Sequence, residues 1–579
     1  MSIRIRQFVA ASLAAMTAAP LLTVRAQAPH DSAGMVVSRS GLVISSSALA
    51  SDVGASILRK GGNAVDAAVA TAFALAVTYP GAGNIGGGGF MVVRLKNGTA
   101  TTIDYRERAP LGSTPGMYLD KDGKIDRSLT ATGYLAPGVP GTVRGLALAH
   151  RKFGKLPWRE VVLPAAQLAA RGFPLDSGLA LSLNREVSQA MKPYAASVAA
   201  YGKSNGGTWQ AGDTIILADL GRTLNAIAAR GADVFYTGWV ADSIAAEMQR
   251  NGGLITKADL AAYRAKERKP IRGSYHGYDI VTMPPPSSGG VAMVEMLNIL
   301  SRFDLKKQGR WSPETLHLMI ESMRRAYVDR ARFLGDPDFV KMPLSRLTSA
   351  RYAATLASQI DLTKATSSVE LGKDIVTPTS VATESDETTQ FSVVDKDGNA
   401  VSNTFTLEGG YGSHVVVRGA GFLLNNEMGD FNKKPGETNV QGDIGTPANR
   451  IAPGKRMLSS MSPTIVTRNG RLFMVTGSPG GRTIINTVTE VVLNATGFNM
   501  NAREAVDAPR LHHQWLPDVA TFERDAVPDS TLTRLRAMGH TVEQRGRQGD
   551  AHTIIFDTKT KTAYGANDHR SSDSKTSAP

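Results

Sequence analysis

Residues 388–410, "TTQFSVVDKDGNAVSNTFTLEGG", constrain the fold more than any other stretch of the chain. Two runs of alternating apolar and polar residues flank a turn at Asp397-Gly398-Asn399, which is the pattern of an antiparallel hairpin. The segment just before it, "ESDE", is wholly polar, so Thr388 and Thr389 stand at the lip of the first strand. β-Branched residues favour strands, and that preference alone accounts for a Thr-Thr pair there. The position also suits a threonine whose preceding peptide bond is to be cut, because a new N-terminus must be held rigidly.

Before the hairpin the pattern is mostly helical. Residues 50–59 and 64–77 read as helices separated by a stop at Gly61-Gly62, and 90–95 reads as a strand. Further helices are expected near 142–152, 157–171, 220–230, 240–251, 291–302 and 313–334. After the hairpin, "SHVVVRG", "PTIVTRNGRLFMVTG" and "AHTIIFDTKTKTAYG" read as strands, with helices near 483–495 and 502–506. The tail "SSDSKTSAP" is expected to be disordered. The chain shows no internal repeat, so a helix-rich front joins an α+β back at residue 388. At 579 residues, more than one domain or subunit is expected.

The first thirty residues open with Arg4 and Arg6, followed by an apolar run and small residues at Ala26 and Ala28. That layout predicts a secretory signal peptide over residues 1–26 and a periplasmic or secreted protein. A membrane span is the competing reading, but the run is short and Pro20 interrupts it. The chain has no cysteine, which excludes disulfides, thiolate metal sites and cysteine nucleophiles. Net charge is +14, yet acids are interspersed among the bases and no basic run carries interleaved aromatics. A solvated basic surface is expected, with no nucleic-acid partner.

Several motifs fail on context. "GAGNIG", Gly81 to Gly86, has the dinucleotide spacing but follows a helical run and leads into a strand, the reverse of the required order. A close-packed backbone turn is the better reading. His512-His513 reads as a structural pair, since adjacent side chains diverge. Asp395-Lys396-Asp397-Gly398 lacks the later ligands of a calcium loop. No metal site and no organic cofactor is expected.

An N-terminal threonine can carry both halves of a nucleophilic mechanism, its hydroxyl attacking while its own α-amine takes the proton. The α-amine has a reference pKa of about 7.7–8.0, which leaves a useful neutral fraction at neutral pH. Thr388 could act so only after cleavage of the Glu387–Thr388 bond.

"TTQFSVVDKDGNAVSNTFTLEGGYG", "GFLLNNEMGDF", "LSSMSPTIV" and "TGSPGGR" occur in this order, and together they resemble the small-subunit signature of the γ-glutamyltransferases. "GGNAVDAAVATAFALAVTYPGAGNIGGGGFMVVR", "DYRERAP", "GVPGTVRGL" and "PPPSSGG" resemble that family's large subunit, so the likeness runs from about residue 34 to about 566. The resemblance implies an α+β, αββα N-terminal-nucleophile hydrolase. It implies a proenzyme that cuts itself into a large subunit, 27–387, and a small subunit, 388–579, which pair as a heterodimer.

The resemblance also implies roles. Thr388 matches the nucleophile and Thr406 a threonine that orients it. Gly480 and Gly481 match the pair whose N–H groups hold the oxyanion. Arg106, Ser459 and Ser460 match the residues that hold the substrate α-carboxylate, and Asp430 matches the carboxylate facing its α-ammonium. Glu408 and Glu427 stand where many relatives carry amides, so the pocket is expected to hold three acids, one of them partly protonated when empty. Gln441 replaces an aromatic in the lid-like segment, and "GANDHR" departs from a common Asp-Pro-Arg. The implied activity is γ-glutamyl transfer from, and hydrolysis of, glutathione and related donors, with amino acids, dipeptides or water as acceptors. The alternatives are a glutaryl or cephalosporin acylase, a poly-γ-glutamate depolymerase, or a non-catalytic exported binding protein.

Overall fold

The computed structural model describes residues 34–377 and 388–579. The expected signal peptide, 1–26, and Glu387 lie outside the described residues.

Two seven-stranded antiparallel sheets form the centre. The first runs Lys575–Ser577, Gly41–Ser45, Thr389–Asp395, Ala400–Thr406, Gly88–Arg94, Ala100–Asp104, Lys266–Arg268. The second runs Val36–Ser38, Thr562–Ala566, Thr553–Asp557, Arg471–Thr476, Thr464–Arg468, Tyr278–Thr282, Ile271–Tyr275. Both contain strands from before and after residue 388, so neither part of the chain makes either of these two sheets alone.

Alternation along the strands explains the layering. Leu42, Ile44, Val92, Val394, Ile465, Val475 and Ile554 form one core, which is the seam between the two sheets. Their neighbours Val43, Met91, Val93 and Val393 face a second core with the helices Ala48–Arg59 and Ala64–Thr78. Ile280, Val466, Met474 and Ile555 face a third, with the helices Gly289–Leu300 and Thr483–Gly497. The order is helix, sheet, sheet, helix: the αββα fold of an N-terminal-nucleophile hydrolase.

The local rules hold at the first helix pair. The helix Ala48–Arg59 ends before Gly61, which is left-handed at φ +91. Asn63 then caps the next helix reciprocally with Asp66. The hairpin is present, with Thr389 opposite Phe405 and Val394 opposite Ala400. Its turn is held by Asp395, whose carboxylate accepts from the N–H groups of Asp397, Asn399 and Ala64.

Two expectations are corrected. "SHVVVRG" is not a strand: His414 is left-handed at φ +61, and Val417 N–H bonds back to Phe422 O to close a tight loop. The tail is not disordered. Lys575–Ser577 pairs with Gly41–Ser45 as an edge strand, and both Lys575 and Ser577 bond Asp52. Its polar composition misleads because an edge strand needs backbone partners more than apolar side chains.

Candidate active site

Thr388 lies immediately before the strand Thr389–Asp395 and is 6% exposed. Carried one step beyond Thr389–Phe405, the hairpin register sets Thr388 beside Thr406. The Thr406 hydroxyl accepts from Glu408 N–H at 2.8 Å, and its carbonyl accepts from Asn84 Nδ2 at 2.8 Å. Asn84 belongs to the glycine-rich turn, where Cβ atoms on Gly83, Gly86 and Gly87 would meet backbone oxygens at 2.1–2.2 Å. Glycine is needed there because the turn is pressed against the hairpin and the preceding helix, not because it binds a dinucleotide.

One cleft is lined by Thr388, Thr406, Arg106, Ser459, Ser460 and Gly481, and also by Glu408, Glu427 and Asp430. Gly480 adjoins it through the chain. Gly480 and Gly481 have φ +127 and +54, which favours glycine at both, and a Cβ on Gly480 would also meet Thr483 Oγ1 at 2.5 Å. They lead into the helix Thr483–Gly497, and its N-terminal dipole favours negative charge near this turn.

Arg106 follows the strand Ala100–Asp104 and is fully buried. Its guanidinium Nη1 is 2.6 Å from Glu427 and 3.6 Å from Glu107, and Nη2 pairs with Asp430. Nε donates to Met457 O at 3.2 Å, so the fork cannot swing freely. Burial alone lowers the Arg106 pKa, but Glu427, Asp430 and Glu107 outweigh it and hold Arg106 firmly charged. Burial pushes Glu107 up to about 8 in spite of Arg106. It pushes Glu427 well above the carboxylate range, with Glu107, Asp430 and Glu408 adding to the shift. The expected three acids are thus four around one cation. Glu107 escaped the sequence reading although it is the next residue of "DYRERAP"; its adjacency to Arg106 was the available signal.

Ser459 and Ser460 are held from the other side of the cleft. Ser459 O accepts from Ser288 N–H at 2.8 Å and from the Ser288 hydroxyl at 2.6 Å. Arg330 donates from Nε to the Ser288 hydroxyl at 2.9 Å and from Nη2 to the Ser460 hydroxyl at 3.2 Å. Arg330 was not read from the sequence; it comes from the last turn of the helix Pro313–Phe333, where a basic residue reads as a complement to the helix dipole. A second cleft shares Arg330, Asp430 and Arg482 with the first and is bordered by Gln441. Arg482 Nη1 donates to Gly442 O at 3.2 Å, tying the lid-like segment to the glycine pair.

Other polar residues singled out in the sequence serve structure. His512 bonds Asn486 and Gln514, and His513 bonds Asp518. Burial holds both imidazoles down at about 4, hence neutral. In "GANDHR", Asp568 pairs with Arg510 and Arg570. His317, Glu321 and His540 converge as metal ligands can, but His317 and His540 bond each other at 2.7 Å. Glu321 is taken by Arg324, Arg325 and Thr366, so two guanidinium groups already supply the positive charge there.

A profile of the family described as γ-glutamyltranspeptidase matches residues 50–578. The glutathione hydrolase proenzyme of Escherichia coli strain K12 is 49% identical over 541 residues, covering 93% of this chain and 92% of that protein. The structure of cephalosporin acylase from Bacillus halodurans superposes with TM-score 0.82 at 26% identity, covering 97% of this chain and 99% of that one. Helicobacter pylori γ-glutamyltranspeptidase superposes with TM-score 0.53 at 44% identity, covering 54% of this chain and 90% of that one. With the profile spanning nearly the whole chain and this degree of identity, the chain belongs to the γ-glutamyltranspeptidase family.

Proposed function

We propose that the protein is a γ-glutamyltransferase and glutathione hydrolase working through an ester on Thr388. The observation that carries this reading is the single cleft in which Thr388 and Thr406 meet Arg106, Asp430, Ser459 and Ser460. A precursor exported by residues 1–26 would cut itself between Glu387 and Thr388. The large part, 27–387, and the small part, 388–579, would remain paired, because strands of one are hydrogen-bonded to strands of the other in both sheets.

The new α-amine of Thr388 takes the proton of its own hydroxyl as Oγ attacks the γ-carbonyl carbon of the donor. The oxyanion forms against the N–H groups of Gly480 and Gly481, and collapse expels the amine with the proton. From glutathione the released amine is cysteinylglycine. Water, or the amine of an amino acid or dipeptide, then attacks the ester carbonyl and frees Thr388. Every proton in this cycle is moved by Thr388 and the reactants, so the chemistry calls for no cofactor.

The donor's zwitterionic end suits the charge cluster. Its α-carboxylate can take the Arg106 fork, with Ser459 and Ser460 donating, where a planar two-pronged donor matches two oxygens. Its α-ammonium can take Asp430, Glu427 and Glu408. A glutaryl group lacks that ammonium, so acylase activity would leave Arg106 as the cation shared by Glu427 and Asp430, with no second positive charge brought by the donor.

N-terminal sequencing of the mature small fragment should read Thr-Thr-Gln-Phe, and glutathione should yield free glutamate. A different N-terminus would remove Thr388 as nucleophile. Faster turnover of a glutaryl amide than of the matching γ-glutamyl amide would favour the acylase reading.

A further inference from the structure

Behind Thr388, on the side away from the ionic cluster, lies a buried polar network that the proposed chemistry leaves unused. The strand Gly41–Ser45 pairs with Thr389–Asp395, but the ladder stops at Ser45–Phe391, two residues short of Thr389. The chain then turns through Ser46 and Ser47 into the helix at Ala48. Where the ladder ends a side-chain bond takes over: the Thr389 hydroxyl donates to Ser46 Oγ at 3.0 Å. Ser46 Oγ in turn lies 3.1 Å from His552 Nε2 and 3.3 Å from Asp550 Oδ2, and all four residues are buried.

The segment 549–552 also holds the glycine loop. Asp550 N–H donates to the Ser478 hydroxyl at 3.0 Å, and Ser478 lies two residues before Gly480. His552 N–H donates to Gly477 O at 3.1 Å, while His552 O accepts from the Ser392 hydroxyl at 2.8 Å. One short segment is therefore bonded to the nucleophile's strand and to the loop that carries Gly480 and Gly481.

These contacts do not make a second nucleophile. Asp550 Oδ2 is 3.5 Å from His552 Nε2, the same nitrogen that meets Ser46, so no carboxylate sits on Nδ1 to orient a base. The arrangement is a brace.

We propose that Ser46, His552 and Asp550 are positioning residues that hold Thr388, through Thr389, in register with Gly480 and Gly481. Cleavage before Thr388 removes the chain's covalent restraint on that side, and free strand ends fray unless tied. The Thr389–Ser46 bond replaces the restraint on the flank where the backbone ladder has ended. Small displacements of a reacting atom are costly in rate, so the brace should be read in kcat and not in donor affinity.

This rests on Thr388 being the nucleophile, and the test separates the two claims. Wild-type turnover of a γ-glutamyl anilide tests the nucleophile. Comparison of Ser46→Ala, Thr389→Val, Thr389→Ser and the double variant Ser46→Ala/Thr389→Val tests the brace. Ser46→Ala and Thr389→Val should each lower kcat about 10- to 100-fold, with KM within about twofold and thermal midpoint little changed. Thr389→Ser keeps the hydroxyl and should retain most of kcat. The double variant should be no worse than the worse single, because both remove the same bond. If Thr389→Val does not mature, the conversion rate of its purified precursor is compared with that of Thr389→Ser, and the serine should be the faster. Unchanged kcat in Ser46→Ala, multiplying losses in the double variant, or equal behaviour of Thr389→Val and Thr389→Ser would each overturn the brace.

Discussion

Two buried polar clusters flank the start of the strand Thr389–Asp395, and they are built on opposite principles. In front, Arg106, held firmly charged, meets Glu107, Glu427 and Asp430, so three carboxyl groups crowd onto one guanidinium. Burial raises Glu107 to about 8 and Glu427 well above the carboxylate range. Behind, Thr389, Ser46, His552 and Asp550 meet through hydrogen bonds, and burial holds His552 down at about 4, so its imidazole is neutral near pH 7. Asp550, pushed up to about 8 by burial and by Asp568, is mostly protonated there as well. A neutral hydrogen-bonded network can be complete without a ligand and makes a rigid support. A buried cluster with more acids than cations is expensive in itself, and a second cation entering it would relieve the crowding. Under the proposed function the front cluster is the side that receives a zwitterion, and under the proposed brace the rear cluster is the side that must not move.

The largest effect should come from the residue between them. Thr388→Ala should stay a single chain with no turnover, whereas the wild type gives two fragments of about 38 and about 20 kDa, scaled from 61.4 kDa for 579 residues. Both clusters should survive intact in this variant, so its thermal midpoint should match that of the precursor. Maturation of Thr388→Ala without added protease would remove Thr388 from the chemistry and leave the comparison without its centre.

Arg106→Lys comes next and tests the front cluster. A point charge cannot copy a fork that meets Glu427 and Asp430 at once. Turnover of γ-glutamyl anilides should fall at least about 100-fold in kcat/KM, given the loss of paired contacts to a carboxylate. The variant should still mature, and a donor lacking the α-carboxylate should lose much less. Equal losses on both donors would make Arg106 a folding residue and the front cluster a structural one.

The third effect is on stability and has a definite sign. The Glu107 carboxyl is raised from its ordinary 4.5 to about 8, so the fold binds more protons than the unfolded chain between those values. Stability should therefore fall as pH rises from about 4.5 to about 8 and level off above. Glu107→Gln removes that titration, and its urea midpoint should be flatter between pH 5 and pH 8 than the wild type's. The gain at pH 8 should be on the order of 1–3 kcal/mol, since Glu427 and Asp430 still share Arg106. A wild type equally stable at both pH values would mean that Glu107 is ionised throughout.

The front cluster was half legible in the sequence and the rear one was not. Arg106, Asp430, Ser459 and Ser460 sit inside contiguous motifs, so their convergence could be stated from the resemblance. Ser46 and Asp550 are 504 residues apart, and each alone reads as a turn or loop residue. Nothing in "VISSSALA" or "GDAHTI" signals that they meet. The hairpin and the helix pair before it were legible because local period and caps agree with the fold. The tail strand was not, because its partner Gly41–Ser45 lies at the other end of the chain.

The smallest effect is expected at Glu408, which adds its charge to the front cluster and carries a backbone strain of its own. Its φ is +81, a region that asparagine enters several-fold more readily than glutamate. Glu408→Asn should therefore raise stability by about 0.5–1 kcal/mol through relief of that strain. The same change removes a negative charge that helps hold the Glu427 carboxyl up. Glu427 should then ionise at lower pH, and the acidic limb of kcat/KM, which reports the free enzyme and substrate, should move down with it. Stability and pH profile separate the two causes, because strain relief has no pH dependence, whereas the repulsion that charge removal relieves exists only when Glu427 is ionised. Glu408→Ala would remove the charge while keeping a side chain less suited to positive φ, so it should shift the limb without the stability gain. A limb unmoved in both variants would place Glu408 outside the electrostatics of the cleft, leaving Glu427 and Asp430 as the acids proposed to receive the donor's ammonium.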